Sequence, residues 1–321
     1  MATRLQEFFG SVPPCTVFYT VLCIAVYVVQ LLFGGVGACA ISAYAVIQQY
    51  EFYRIVTSAF THLGLMHIVF NLLSFNSISD RTLERKYGSV FMLYLIFLFT
   101  VINGILYVLI FYLLSFLYYP LIAVSAAGFS GVIFSLLTVE SYVVEADSLS
   151  VFGLFSVPRK WYAVVYLILM SVIMPGVSFT GHLCGVISGF LFVSGYLNWL
   201  LPMHCLVACE RGFVGSLLKR SNAFVFIPEL HEVITSSLSF RSMLELAYQG
   251  VNTMVVMVVV FAKNVLWFAF NSVFPPVLDE VTPPQPPSEM NSDIEARPVA
   301  LTAEEQRQQR LQALAARGIV N

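Results

Sequence analysis

Long apolar runs, broken by short polar clusters, set the pattern of this chain. A membrane-spanning helix needs about 20 apolar residues. Six stretches approach or exceed that length before residue 202: Cys15 to Leu32, His62 to Ile78, Ser89 to Leu117, Ala123 to Val143, Trp161 to Met174 and Gly181 to Leu201. The fifth is short, bounded by Pro158 on one side and Pro175-Gly176 on the other, residue types that punctuate helices. The pattern predicts an all-α polytopic membrane protein with six spans.

The polar breaks orient those spans. Arg81, Arg85 and Lys86 follow the second run, Arg159 and Lys160 precede the fifth, and Arg211, Lys219 and Arg220 follow the sixth. All three clusters fall on one side if the spans alternate, and Arg54 stands alone on the other. Cytosolic loops carry the excess of Lys and Arg, so the expectation is N-in and C-in, with residues 1–14 cytosolic. The run after Pro13-Pro14 is long enough to span and no small-x-small cleavage site clearly follows a short apolar core, so it reads as a retained first helix. Spans two, four and six then all begin at the lumenal or extracellular face.

Composition agrees with that reading. Of 321 residues, 59% are hydrophobic and 11% charged, against about 25% charged in a soluble domain. The net charge of −2 gives no electrostatic case for nucleic acid. The six cysteines, Cys15, Cys23, Cys39, Cys184, Cys205 and Cys209, form no CxxC pair, and read as small buried hydrophobes rather than as disulfides or metal ligands.

Against this apolar background two segments stand out, Gly128-Phe129-Ser130-Gly131 and His182-Leu183-Cys184-Gly185. Polar or ionisable groups inside membrane spans mark functional sites by default. Serine becomes a nucleophile when a base removes its proton, and Ser130 with His182 has that chemistry. Gly185 and Gly189 lie three and seven residues after His182, on its helical face. Small residues let helices approach closely in lipid, so this face is expected to dock on Gly128 and Gly131. In the second span His67 and Asn71 are four apart, share a face, and offer donors for an oxyanion. His67, Ser130 and His182 each fall near the outer end of a different span, and so share a depth. No Asp or Glu lies near those ends, which predicts a Ser-His dyad without a third member. No HExxH pattern occurs, and the five-residue offset of His62 and His67 separates them by about 140° around a helix. No metal or other cofactor is therefore expected.

Taken together, these residues resemble the rhomboid intramembrane serine proteases. The resemblance is carried by Arg54 with Thr57, Phe60 and His62, by His67-Ile68-Val69-Phe70-Asn71, by Glu84-Arg85 with Gly88-Ser89, by Gly128-Phe129-Ser130-Gly131, and by His182 with Gly185 and Gly189. It covers roughly residues 15–201. It implies a six-helix bundle with Ser130 as nucleophile and His182 as general base. His67, Asn71 and the Ser130 amide would hold the oxyanion. Glu84 and Arg85 match a structural element after span two, and Arg54 matches one in the preceding loop. That loop would rest partly in the membrane, and span five with Pro175-Gly176 would gate lateral entry of a membrane-protein substrate, single-pass or polytopic. Two departures are the stretch Ser79-Asp80-Arg81-Thr82-Leu83, where the family often has a Gly before the Glu, and Cys184, where a small residue is usual. The alternative is a rhomboid-fold pseudoprotease that binds and routes membrane clients, although such a relative would lack Ser130 or His182.

The remainder reads differently. Residues 202–274 predict a membrane-associated helical extension, including an amphipathic helix over Phe240 to Tyr248. Within it Asn252 to Phe274 is apolar but has Lys263-Asn264 at its centre, which favours an in-plane or packed helix over a seventh span. Residues 275–298 are rich in Pro and acidic residues and predict a disordered cytosolic linker. Residues 299–321 predict a short amphipathic helix opened by the capping box Thr302-Ala303-Glu304-Glu305. With Arg307, Arg310 and Arg317 it weakly resembles the arginine-rich helices that recruit the valosin-containing AAA ATPase. That resemblance, with the absence of a transit peptide, favours the endoplasmic reticulum or Golgi over the plasma membrane and argues against the mitochondrion.

Overall fold

In the computed structural model, the described residues are 11–227 apart from positions 152, 154 and 175. All belong to the first of two units, Met1–Pro284 and Gln285–Asn321. The amphipathic helix expected over Phe240 to Tyr248, the apolar run Asn252 to Phe274, the linker and the tail helix lie outside the described residues, as does Pro175.

Helices dominate. The principal ones are α1 (Pro14–Phe33), α2 (Arg54–Phe60), α3 (Leu65–Ile78), α4 (Ser89–Ser115), α5 (Ser130–Val143), α6 (Tyr162–Ile173), α7 (Phe179–Val193), α8 (Met203–Arg211) and α9 (Phe213–Leu218). Four short strands pair into two antiparallel ladders: β1 (Ile41–Ser42) with β2 (Ser125–Ala126), and β3 (Ser148–Val151) with β4 (Phe155–Pro158). The chain is an integral membrane protein of predominantly helical build. Among the described residues α1 and α4 are each long and apolar enough to cross a bilayer alone. Two further spans are reached if α2 with α3, and α7 with the segment Asn198–Arg211, each count as one bent unit.

Helix α4 is central. Leu95, Ile96 and Phe99 along it are fully buried, whereas α1 leaves Phe18, Val21, Ile24 and Val28 exposed. Lipid solvates such a face as well as protein does, so contacts between helices depend on fit. That fit is closest between α5 and α7. A Cβ added to Gly189 would lie 2.6 Å from Thr138 Cβ and 2.7 Å from Ser135 O, and one added to Gly185 would lie 2.8 Å from Phe134 Cβ. No side chain larger than hydrogen is accommodated at either position.

Glu84 fastens α1 to the turn after α3. Pro13 precedes α1 and offers no side-chain cap. The helix's first donors are met instead by the fully buried Glu84, which accepts from Cys15 N–H at 2.8 Å, Thr16 N–H at 2.8 Å and Thr16 Oγ1 at 2.7 Å. Burial pushes its carboxyl above the usual carboxylate range, and these hydrogen bonds oppose that shift. The preceding Ser79–Leu83 segment is a wide π-helical turn.

Arg54 organises the loop between α1 and α2. Its guanidinium donates to the carbonyls of Gly37 and Ala40 and pairs with Glu51 at 2.6 Å. The loop's strand β1 then pairs with β2, two residues before Gly128.

Four expectations are corrected. The helix of the second span begins at Leu65, and His62 sits in the bend where α2 and α3 meet at 91°. The fourth run is helical only from Ser130; Tyr119–Ala123 is a 3-10 turn and Ser125–Ala126 a strand. Non-helical backbone is tolerated at membrane depth where it is buried in protein, and here β1 and the Ser58 carbonyl satisfy it. The sixth helix stops at Val193, and a second helical segment follows after a break. Finally, the cysteines divide: Cys15, Cys23 and Cys184 are buried, Cys39 is half-buried, and Cys205 and Cys209 are exposed.

Candidate active site

Ser130 opens α5. The residue before it, Phe129, is fully buried and packs against Phe60 at 5.7 Å, Tyr19 at 6.0 Å and, edge-on, Phe75 at 5.1 Å. This aromatic box anchors the loop on one side of the serine. Gly128 anchors it on the other: its N–H donates to Ser58 O at 2.9 Å and its φ is +130°. L-residues with a side chain rarely adopt that conformation. A Cβ there would also lie 2.6 Å from His67 Cε1. Gly128 thus serves the close approach of α3, and the expected docking of α7 on Gly128 is corrected to Gly131 alone. A Cβ on Gly131 would lie 3.2 Å from Gly181 O.

His182 lies in the first turn of α7, whose N-cap Ser178 accepts from Gly181 N–H through its hydroxyl. Its Nε2 stands 2.9 Å from Ser130 Oγ. Its ring stacks on Phe134, centroids 4.5 Å apart and planes at 26°. Phe134 follows Ser130 by four residues, so serine and stacking partner share one face of α5. His182 Nδ1 is buried with no hydrogen-bond partner among the described residues. No carboxylate among the described residues orients the imidazole; its contact with Phe134 does.

His67 is the third residue of α3. Its Nδ1 receives Leu63 N–H at 3.4 Å, an assignment that leaves the proton on Nε2. Nε2 and Cε1 form the edge of the ring nearest Gly128. Asn71 is buried, and its amide donates to His67 O at 2.9 Å. It does not line the cavity that Ser130, His182 and His67 share. That cavity has a volume of about 370 Å³, and its lining includes Met174, Gly176 and Val177.

Below the serine a polar network ties α4, α5 and α7 together. Asn103 Nδ2 donates to Ser135 Oγ at 3.0 Å, Ser135 Oγ meets Ser188 Oγ at 2.8 Å, and Ser188 donates to Gly185 O at 3.0 Å. Sequence reasoning did not single out Asn103, Phe134 or this network. An asparagine inside an apolar run was the available signal; the stacking role of one phenylalanine among 28 had none. No group of three or more His, Cys, Asp or Glu suited to a metal occurs among the described residues.

With a serine hydroxyl hydrogen-bonded to an imidazole in a pocket that His67 also lines, this arrangement suits acyl transfer. Comparison with known proteins identifies similar chains. Residues 49–199 match the Rhomboid domain family. The chain is 36% identical over 207 residues to Rhomboid-like protein 15 of Arabidopsis thaliana, covering 62% of this chain and 51% of that protein. It is 32% identical to human Rhomboid-related protein 4, covering 53% and 52%. It is 28% identical to Rhomboid-type serine protease 2 of Neurospora crassa, covering 47% and 53%. The chain spans about half the length of each of these relatives.

Proposed function

Because the chain belongs to the rhomboid family, we propose that it is an intramembrane serine endopeptidase working through a Ser130–His182 dyad. The 2.9 Å contact between His182 Nε2 and Ser130 Oγ carries this reading. Serine-protease names among fungal relatives support it at the level of the family.

The chemistry follows from the atoms. His182, neutral and protonated on Nδ1, takes the Ser130 proton on Nε2 as Oγ attacks the scissile carbonyl. The carbonyl oxygen becomes an oxyanion. Donors for it are the Ser130 N–H, which lacks an intrahelical partner at the first helical position, and His67 Nε2–H. The Asn71 amide joins them once it turns from the His67 carbonyl; in its present position it holds the backbone of His67. His182 then protonates the leaving amine. Water entering the cavity, deprotonated by the same imidazole, hydrolyses the acyl-enzyme.

The substrate is a membrane protein, single-pass or polytopic, entering past α6 and the Met174–Val177 edge. Six spans, N-in and C-in, in the endoplasmic reticulum or Golgi, complete the proposal. Recruitment of a cytosolic AAA ATPase by residues 299–321 is a further element, resting on sequence alone.

Labelling with a fluorophosphonate probe in detergent tests the dyad. Wild type is expected to label, Ser130→Ala to remain unlabelled, and His182→Ala to label far more slowly. Equal label on all three excludes Ser130 as the nucleophile. An unlabelled, folded wild type favours the pseudoprotease alternative.

A further inference from the structure

Beyond α7 the chain makes a feature that peptide hydrolysis does not use. The segment Asn198–Arg211 is turned 89° from α7; with α7 crossing the bilayer as the topology proposed above requires, the segment runs along the bilayer surface. Tyr196 and Trp199, 57% and 81% exposed, stand at the turn, and Trp and Tyr concentrate at membrane–water interfaces. Helix α8 buries Met203, Leu206 and Glu210 against the protein. Its other sides face outward, and on them lie Cys205 and Cys209, both free and exposed.

Four residues apart on a helix, the two thiols share one face, with Cβ atoms about 5–6 Å apart. Phe213 and Leu217 of α9 are exposed just beyond, followed by the basic pair Lys219-Arg220. An amphipathic helix lying at the interface, flanked by exposed apolar side chains and cations, is the setting in which a thiol meets activated fatty acids. The other cysteines do not share it: three are buried, and Cys39 belongs to the loop before α2.

We propose that Cys205 and Cys209 form a paired S-acylation site for long-chain acyl groups, taken from acyl-coenzyme A on the cytosolic side. The inference rests on the N-in, C-in orientation proposed above and not on the Ser130–His182 chemistry. In each transfer the cysteine sulfur bonds to the acyl carbonyl carbon and the carbon–sulfur bond of the acyl-coenzyme A breaks. The cysteine proton leaves with coenzyme A as its thiol. One thioester replaces another, so no oxidant or reductant takes part. The two chains would insert beside α8 and pin it to the leaflet, fixing where residues beyond 211 leave the membrane.

The test uses the full chain expressed in cultured eukaryotic cells. Free thiols are blocked with N-ethylmaleimide, thioesters are cleaved with hydroxylamine, and the released thiols are tagged with maleimide-polyethylene glycol. Two mass shifts are expected for wild type, one for Cys205→Ser, one for Cys209→Ser and none for the double variant. Omission of hydroxylamine should abolish every shift. Absence of a hydroxylamine-dependent shift in wild type overturns the proposal, as does a shift that survives in the double variant. A single shift lost with only one of the two variants overturns the pairing. Fluorophosphonate labelling of the same samples reports folding of the double variant, which is expected to label as wild type does. Failure of acylation and failure of the serine chemistry are thereby read separately.

Discussion

Substitution of Gly185 by alanine tests whether the α5–α7 contact sets the distance between Ser130 and His182. An alanine Cβ at 185 would lie 2.8 Å from Phe134 Cβ and would meet the Gly131 carbonyl. Ordinary contact begins at 3.4 Å, so the helices must part by at least 0.6 Å at this level. His182 lies one turn before Gly185, while Gly131 and Phe134 flank one turn of α5 beginning at Ser130. The same displacement carried to the dyad lengthens its 2.9 Å bond to about 3.5 Å, the limit of a useful hydrogen bond. Misplacement by about 1 Å costs about 10²-fold in rate, so the labelling rate constant for a fluorophosphonate should fall about tenfold to a hundredfold. Overpacking should also lower stability by about 1–3 kcal/mol, measured as a thermal shift in detergent. Gly37, where an added Cβ meets nothing within 4 Å, supplies the control: Gly37→Ala should label at the wild-type rate. A folded Gly185→Ala protein that labels as fast as wild type would refute the argument that helix approach sets the geometry.

Three further outcomes follow from the same geometry. Gly128→Ala combines a φ of +130° with a Cβ 2.6 Å from the His67 ring; strain of about 1–3 kcal/mol should move the serine loop and abolish labelling, and wild-type labelling would contradict it. His67→Ala removes one proposed oxyanion donor and should slow labelling about 10²–10³-fold with little change in melting temperature, whereas an unchanged rate would remove His67 from the site. Glu84→Ala leaves the Cys15 and Thr16 amides without their acceptor, at about 1–3 kcal/mol for each buried unsatisfied group, while the Thr16 hydroxyl keeps Ser79 Oγ at 2.7 Å. Glu84→Gln keeps one acceptor oxygen and should melt between Glu84→Ala and wild type; identical melting of all three would show that the cap contributes nothing.

The parts of the site legible in the sequence were those that chemistry restricts. Ser130, His182, His67 and the small residues at 131, 185 and 189 stood out because polar groups and glycines are costly or unusual in apolar runs. What hydropathy could not resolve was backbone conformation within such a run. Val124 to Ala127 are as apolar as the helix that follows, yet they pair with β1 or turn, because protein rather than lipid meets their amides. His62 shows the same limit, since its neighbours continue the apolar pattern while the chain turns 91° around it. Contacts distant in sequence were equally silent. Nothing near Ser89 indicates that its amide donates to Val225 O at 2.8 Å, or that Ile227 N–H reaches the carboxylate of Glu210. Phe134 against His182 is of this kind too: the residue type is common, and only the fold makes it a platform.

Helix α5 has 14 residues, a length of about 21 Å against a hydrocarbon thickness of about 30 Å. With Val143 at one boundary, beside the charged residues Glu145 and Asp147, the serine oxygen is recessed by about 9 Å from the opposite boundary, and further if the helix tilts. A polypeptide can present a bond there only by descending from the aqueous phase or by locally losing its own helical hydrogen bonds inside the hydrocarbon. If the proposed proteolysis holds, the shortness of one helix would select substrates by how readily they fray, before any side chain is read.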